Sequence, residues 1–518
     1  MANQIMEATG RIISRESLFS AAKQSDRCLV VPVCLRRAIK KYLREQAEPH
    51  MTRKVQKLSE NFRNIKLLNG KSNPEISVLN SGAFSNDRDH RWKVKSSYGD
   101  IGFTYSDDET LAYVASRMPA VFSACYRVLS EVKRRIPGYA PESVLDFGAG
   151  TGSAFWALRE IWPKSIKKMN VVEPSTSMQR AGRSLIQDLK DLPLIRGYQS
   201  ILSLTKDVKK SEREHDLVIA SYVLGEIPSM KDRIATARQL WNLTRDVMVL
   251  VEPGTPQGFE IISLMRSHIL WMEKRKYRKI LKKDPTVCKE IVHLNSGAYV
   301  VAPCAHDGRC PLENTGKYCH FVQRLQRTSS QRACKRLNGE SLQGFEDEKF
   351  SFVVLRKGQR PRDTWPLDGV ELEALKLNHG RGSTDEITIE YEDESQESDY
   401  EDEVYDNMEV ADPSDAAQVI GYESDRTELD DMEFEHEDDE EIETVHANLS
   451  GGWGRVMFMP VRRGKRVTMD VCRSSNREAT NGCIQRFVVT RGKNPTLHHL
   501  ARKCYWGDLW PFSCDVSQ

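Results

Sequence analysis

Apolar positions recur with two different periods along the chain, and the change of period marks its parts. In Val31-Pro-Val-Cys-Leu-Arg-Arg-Ala-Ile-Lys-Lys-Tyr-Leu43, Leu35, Ile39 and Leu43 share one face at i, i+4 spacing. This predicts an amphipathic helix with a basic outer side. A second such helix is expected near Met51 to Leu67, and a longer helical pattern covers residues 108–136, broken at Pro119. Short apolar runs then alternate with helical patterns. Strands are expected at Val144–Phe147, Met169–Val172, Leu194–Ile195, Leu217–Ala220 and Val247–Val251, with helices between them. A long helix from about Phe259 to Lys282 precedes two later strands, Tyr299–Ala302 and Phe350–Leu355. Apolar strands alternating with helices imply a mostly parallel sheet covered on both faces. The last stretch returns to strand character, in Gly452–Pro460, Arg466–Cys472 and Cys483–Thr490, before a short helix near Leu497 to Lys503.

The glycines sharpen this α/β reading. Val144-Leu-Asp-Phe-Gly-Ala-Gly-Thr-Gly152 carries a strand into a glycine-rich turn, and a helix opens at Ser153. Such a turn lets a ligand approach the backbone, and the free N–H groups of the following helix face the same spot. Asp146 precedes the glycines Gly148, Gly150 and Gly152, and Glu173 ends the second strand, where an acid can accept ribose hydroxyls. Asp216 lies on the fourth strand, which leads into Ser221-Tyr-Val-Leu-Gly-Glu226. The order matches class I S-adenosylmethionine methyltransferases, so the expected cofactor-binding set is Asp146, Gly148, Gly150, Gly152, Glu173 and Ser221. A catalytic group is not evident. Ser221, Tyr222 and Glu226 are polar, but Glu226 reads more readily as a cap or an ion-pair partner than as a base.

Charge divides the chain. The overall balance of +2 conceals an acidic stretch, residues 385–443, with 28 Asp or Glu and one base, Arg426. The rest holds 75 bases against 46 acids, a net charge of +29. A surface so basic suits contact with nucleic acid. The acidic stretch is poor in large apolar residues and is expected to be disordered. No apolar run approaches the ~18 residues of a membrane helix, so no membrane contact is expected. The basic N-terminus suggests an organelle targeting segment, although Glu7 and Glu16 depart from that pattern. The expected parts are a targeting segment (1–30), a basic helical region (31–140), a methyltransferase-like core (141–358) with a cysteine-cluster loop (303–334), an acidic insert (359–450) and a C-terminal β-rich module (451–518).

The twelve cysteines follow no hydrophobic signal sequence, which argues against a secreted disulfide scaffold. Cys304, Cys310 and Cys319 fall in one loop between expected strands. Thiolates gathered in an irregular loop hold a soft metal or a cluster. Their spacing leaves zinc and iron–sulfur both open. A fourth ligand would come from Cys334, His320, His306 or the distant Cys472.

Together these motifs resemble the methyltransferase-like protein 17 family of mitochondrial small-ribosomal-subunit assembly factors. The resemblance rests on Tyr113-x-x-x-Arg-Met-Pro-Ala120, the glycine turn, Val251-Glu-Pro-Gly-Thr-Pro-x-Gly258, Val301-Ala-Pro-Cys-x-His-x-x-x-Cys-Pro311, Tyr318-Cys-His-Phe-x-Gln-Arg324 and Trp506-Gly-Asp-Leu-Trp-Pro511. It covers most of residues 30–360 and 450–511. It implies a [4Fe–4S] cluster on Cys304, Cys310, Cys319 and Cys472, and S-adenosylmethionine binding with methyl transfer in doubt. It further implies small-subunit rRNA and mitochondrial small-subunit proteins as partners, a location in the mitochondrial matrix, and a monomer on the ribosome. An active rRNA methyltransferase is the alternative. The long acidic insert departs from the compact family pattern.

Overall fold

Strands β1 (Ser143–Phe147), β2 (Lys168–Val172), β3 (Leu194–Tyr198), β4 (His215–Ser221) and β5 (Thr244–Pro253) form a parallel sheet in the order β3-β2-β1-β4-β5. The structure, a computed structural model, describes residues 22–46, 50–71, 105–283, 297–335, 344–361, 453–475, 479–493 and 495–510. The long strand β8 (Phe345–Lys357) lies antiparallel on β5. Its far edge pairs antiparallel with β6 (Ala298–Ala302) in one half and with β7 (Phe321–Gln326) in the other. One reversed strand inserted next to last in an otherwise parallel sheet is the class I methyltransferase arrangement expected from the motifs. The expected acidic insert and targeting segment lie outside the described residues, apart from residues 22–30 and 359–361.

The strands are near-continuous apolar runs because both faces are covered. Val144, Leu217, Ile219, Val247 and Val249 point into one core, against the helices Val33–Gln46, Met118–Arg135, Ser153–Ile161 and Thr176–Ile186. Their neighbours Leu145, Val218, Ala220, Met248 and Leu250 point into the other, against Ile201–Asp207, Met230–Asn242 and Pro256–Lys283. The period-two alternation within each strand thus feeds two cores. The first basic helix buries Leu35 and Ile39 and exposes Arg36, Arg37 and Lys40, as its spacing predicts. The pattern over residues 108–136 is two helices, Asp107–Ser116 and Met118–Arg135, meeting at Arg117. Pro119 sits in the first turn of the second, where a missing N–H costs nothing.

A second sheet, β11-β10-β9-β12, comprises β9 (Gly454–Arg463), β10 (Arg466–Ser474), β11 (Gly482–Thr490) and β12 (Leu509–Trp510). It is antiparallel throughout, within the β-rich module expected there. The helix Pro495–Lys503 packs on it. Two elements, β7 and the helix Ser329–Cys334, occupy part of the stretch expected to be loop. Among the described residues no helix is long and apolar enough to cross a membrane.

Candidate functional site

Strand β1 ends in a turn that only glycine fits. Gly148 has φ +69, and a Cβ there would lie 2.5 Å from Val223 Cγ2. Gly150 has φ +54 with open space on the side where a Cβ would project. The turn is held by the Gly148 N–H donating to the Val172 carbonyl (2.8 Å) and the Gly150 N–H donating to Glu173 Oε2 (2.8 Å). The other Glu173 oxygen accepts from the Ser175 N–H, also at 2.8 Å. The acid that ends β2 therefore braces the glycine turn.

This turn forms one wall of a cavity of about 590 Å³. Of the six expected binding residues, Gly148, Gly150, Glu173 and Ser221 line it, while Asp146 and Gly152 do not. Gly152 instead starts the helix Ser153–Ile161. Asp146 is fully buried beneath the turn, and neither carboxylate oxygen has a hydrogen-bond partner. Burial, and then the charge of Glu173, push its carboxyl up to about 7. Two further wall acids behave alike. Burial raises Glu226 to about 8, even though its Oε1 accepts from the Tyr105 hydroxyl at 2.7 Å. Burial raises Glu252 to about 7, against the lowering effect of the Leu224 and Gly225 N–H groups it accepts. Among the described residues Glu226 forms no ion pair, and its hydrogen-bond partner is the Tyr105 hydroxyl.

The opening beyond β4 is occupied by an interlocked group. Tyr222, at φ +59, donates its hydroxyl to Glu348 Oε1 at 2.6 Å. Arg117 donates to both oxygens of Glu348 at 2.5 and 2.6 Å, and its guanidinium lies 5.2 Å from the Tyr222 ring centre. Burial alone would raise the Glu348 carboxyl, but Arg117 holds it below the usual range. Asp216 lies on the fourth strand, as expected. It sits near the start of β4, away from the glycine turn, and accepts from the Glu142 and Ser143 N–H groups while pairing with Arg245. Its role is to brace the start of β1. Arg117 and Glu252 were visible inside quoted motifs, but nothing in their spacing indicated a shared cavity.

The cysteines converge as well. Cys304, Cys310, Cys319 and Cys472 line one gap of about 40 Å³ between the core and the second sheet, together with Arg266 and Arg455. Burial pushes Cys310 up to about 12 and Cys319 and Cys472 well above the usual thiol range, and their neighbouring thiols push the same way. One buried and three half-buried thiols beside two guanidinium groups form a donor set suited to an anionic metal–thiolate assembly. Among the described residues, however, no three His, Cys, Asp or Glu side chains are drawn together closely enough to hold a single ion. Cys334 packs elsewhere, with Val55, Leu58 and Ala112. His320 stacks between Tyr318 and Trp506. His306 is buried with its Nε2 3.6 Å from Cys472 Sγ.

Residues 107–367 and 384–511 match the model of a family described as mitochondrial small ribosomal subunit Rsm22. The human ribosome assembly protein METTL17, mitochondrial, is 29% identical over 278 residues, covering 52% of this chain and 54% of that protein. The ribosome assembly protein RSM22, mitochondrial, of Saccharomyces cerevisiae is 22% identical over 464 residues, covering 78% of this chain and 67% of that protein. The chain spans about half the length of the first curated relatives it matches. Among solved structures, the YcgJ protein of Bacillus subtilis aligns with a TM-score of 0.25 at 12% identity, covering 46% of this chain and 99% of that one. A score that low adds nothing to the strand order described above.

Proposed function

Since the chain belongs to the mitochondrial small ribosomal subunit Rsm22 family, we propose that it is an assembly factor of the mitochondrial small ribosomal subunit. It acts in the matrix, contacts small-subunit rRNA and proteins, and is directed there by a segment within residues 1–30. The acidic insert, residues 359–450, separates the methyltransferase-like core from the C-terminal module in sequence.

The family match carries the ribosomal reading, and four thiols lining one gap carry a further part of it, a metal cluster. Cys304, Cys310 and Cys319 come from the core and Cys472 from the second sheet, around one gap. These residues would hold a [4Fe–4S] cluster, which would tie the two sheets together and couple folding to cluster supply. Arg266 and Arg455 offset the negative charge that four thiolates bring. Protein purified without oxygen is expected to carry iron and acid-labile sulfide in equal amounts, with broad visible absorbance that Cys304→Ser abolishes. A colourless protein with stoichiometric zinc would overturn the cluster assignment.

The glycine turn is the second half of the proposal. Gly148, Gly150, Glu173 and Ser221 form the wall of an S-adenosylmethionine cradle, with Asp146 and Gly152 supporting the turn from outside the cavity. The acid-rich wall supports a cationic ligand: Glu173, Glu226 and Glu252 face the cavity, and a sulfonium would relieve their mutual repulsion. A dinucleotide pyrophosphate would aggravate it. When bound, S-adenosylmethionine supplies an electrophilic methyl group. Yet Tyr222, Glu348 and Arg117 satisfy one another where an acceptor would enter, which favours binding without transfer. The intact cradle keeps an active rRNA methyltransferase as the second reading. Loss of an rRNA methyl mark in a variant that still assembles ribosomes would favour that reading.

A further inference from the structure

The second sheet has one face whose two ends differ. The strand register sets Arg455, Cys472 and Ile484 in one row across β9, β10 and β11. Moving along β10 on the same face, Asp470 pairs with Arg486 across the strands. The next row is Val461, Thr468 and Val488, and the last is Arg463, Arg466 and Thr490. The Cys472 end is covered by the core. At the other end Val461 and Val488 are 52% and 47% exposed, and Arg463 and Arg466 are exposed too. The opposite face of the sheet carries the buried Val467, Met469, Val471 and Val489.

Three further segments bring bases to that open end. The Arg491 N–H donates to the Lys465 carbonyl at 2.9 Å, fixing the residues after β11 against the β9–β10 turn. Arg462 donates to the carbonyls of Arg502 and Cys504 at 2.9 and 2.8 Å, fixing the end of the last helix to the same turn. Arg463, Lys465, Arg466, Arg491 and Lys493 are exposed, and none forms an ion pair among the described residues. The two acids in the described part of this module are already engaged: Asp470 with Arg486, and the buried Asp508 with Lys23. Among the described residues no acid of this module compensates the positive charge at this end.

The geometry points to this open end of the second sheet as an RNA-binding surface. Exposed guanidinium and ammonium groups at the rim meet phosphates, which position the strand. The half-exposed Val461–Thr468–Val488 row behind them receives the apolar faces of sugars and bases. An aromatic platform is absent from these two rows, so the surface reads backbone and shape rather than base sequence. This rests on the ribosomal reading above and adds the surface by which rRNA is held. It also puts the RNA surface and Cys472 on one strand face, six residues apart on β10, roughly 20 Å at the usual rise per residue.

The test uses the full-length protein and a labelled transcript of the mitochondrial small-subunit rRNA, titrated at several salt concentrations. The triple variant Arg463→Ser/Lys465→Ser/Arg466→Ser is expected to bind at least about tenfold more weakly at moderate salt. Its slope of log affinity against log salt is expected to be shallower by about 2. The melting temperature is expected to hold, since all three side chains are exposed. Arg491→Ser/Lys493→Ser should weaken binding in the same direction. Arg36→Ser/Arg37→Ser/Lys40→Ser removes equal charge from a distant helix and serves as the control. Equal losses in the control and the sheet variants would reduce the effect to net charge and overturn the surface. Unchanged affinity in both sheet variants would overturn it too, while leaving the ribosomal reading intact. Competition by polyglutamate as strong as by RNA would assign the surface to an acidic protein instead. No RNA binding by the unaltered protein at low salt would overturn both readings.

Discussion

Asp146 sits in an environment at odds with its chemistry, fully buried with no hydrogen-bond partner for either carboxylate oxygen. A carboxyl that titrates near 4 in an unfolded chain is raised to about 7 in the fold, by burial first and by Glu173 second. Between those values the folded state binds more protons than the unfolded state. The contribution of Asp146 to stability is therefore greatest below the unfolded value and is lost as pH rises through about 7, at up to about 1.4 kcal/mol per pH unit. Asp146→Asn removes this dependence. Urea unfolding of the ligand-free protein should show the variant gaining on the parent steadily from about pH 4 to about pH 7. A constant difference across that range would refute the assignment of a buried, unpartnered carboxylate. The motif showed that an acid precedes the glycines. That it lies under the turn rather than in the cavity wall was not legible, because a motif orders residues along the chain and does not say which side of the backbone they face.

At the scale of elements, the close approach of the cysteine loop to the β10–β11 hairpin is the feature sequence periodicity could not show. Gly482 begins β11, and a Cβ there would lie 2.2 Å from the Cε1 and Nε2 atoms of His306. The His306 ring has nowhere to retreat, being fully buried against Cys472. Gly482→Ala is expected to cost about 1–3 kcal/mol, as overpacking does, and to displace the loop that carries Cys304 and Cys310. Thermal unfolding together with thiol accessibility in the folded protein would check it, and a variant with unchanged melting would mean that the loop yields. The missed strand β7 has a similar explanation. Phe321, Gln323 and Leu325 alternate inward, but a buried glutamine in a six-residue run weakens the period-two signal. Pairing with β8 supplies what local propensity lacks.

For the whole molecule, the decisive contacts join segments distant in sequence. Arg455 on β9 donates to Glu131, to the Pro303 carbonyl at 3.0 Å and to the Gly507 carbonyl at 2.8 Å. Glu131 is fully buried and also accepts from Arg127 at 3.0 Å. Burial would raise its carboxyl, but Arg455, Arg127 and Arg135 hold it well below the usual range. The N-terminal residues add to this seam: Lys23 pairs with Asp508 at 3.0 Å, and the Leu29 N–H donates to the Arg324 carbonyl at 2.8 Å. Arg455→Met keeps bulk but removes the charge. It should destabilise the protein by about 3 kcal/mol, near the lower end for a broken buried pair because Arg127 and Arg135 remain. Denaturant unfolding would measure this. A neutral result would mean the two sheets are held by apolar contact alone.

The sequence by itself determined the parts that depend on local pattern. Apolar runs alternating with helical stretches specify a doubly covered sheet, because strands buried on both faces must be apolar at every position. The glycine turn is equally local, since positive φ and close packing at Gly148 exclude other residues. The motifs that carry the family resemblance are likewise contiguous in the chain. Only the tertiary structure decided which polar groups share a space. It drew Glu173 onto the glycine turn, tied Asp216 to the start of β1, interlocked Arg117 with Tyr222 and Glu348, and brought Cys472 to the cysteine loop across an interval of more than a hundred residues. Those partners are selected by the desolvation cost of leaving a buried charge or thiol alone, and that cost is set by neighbours that the order of residues does not reveal.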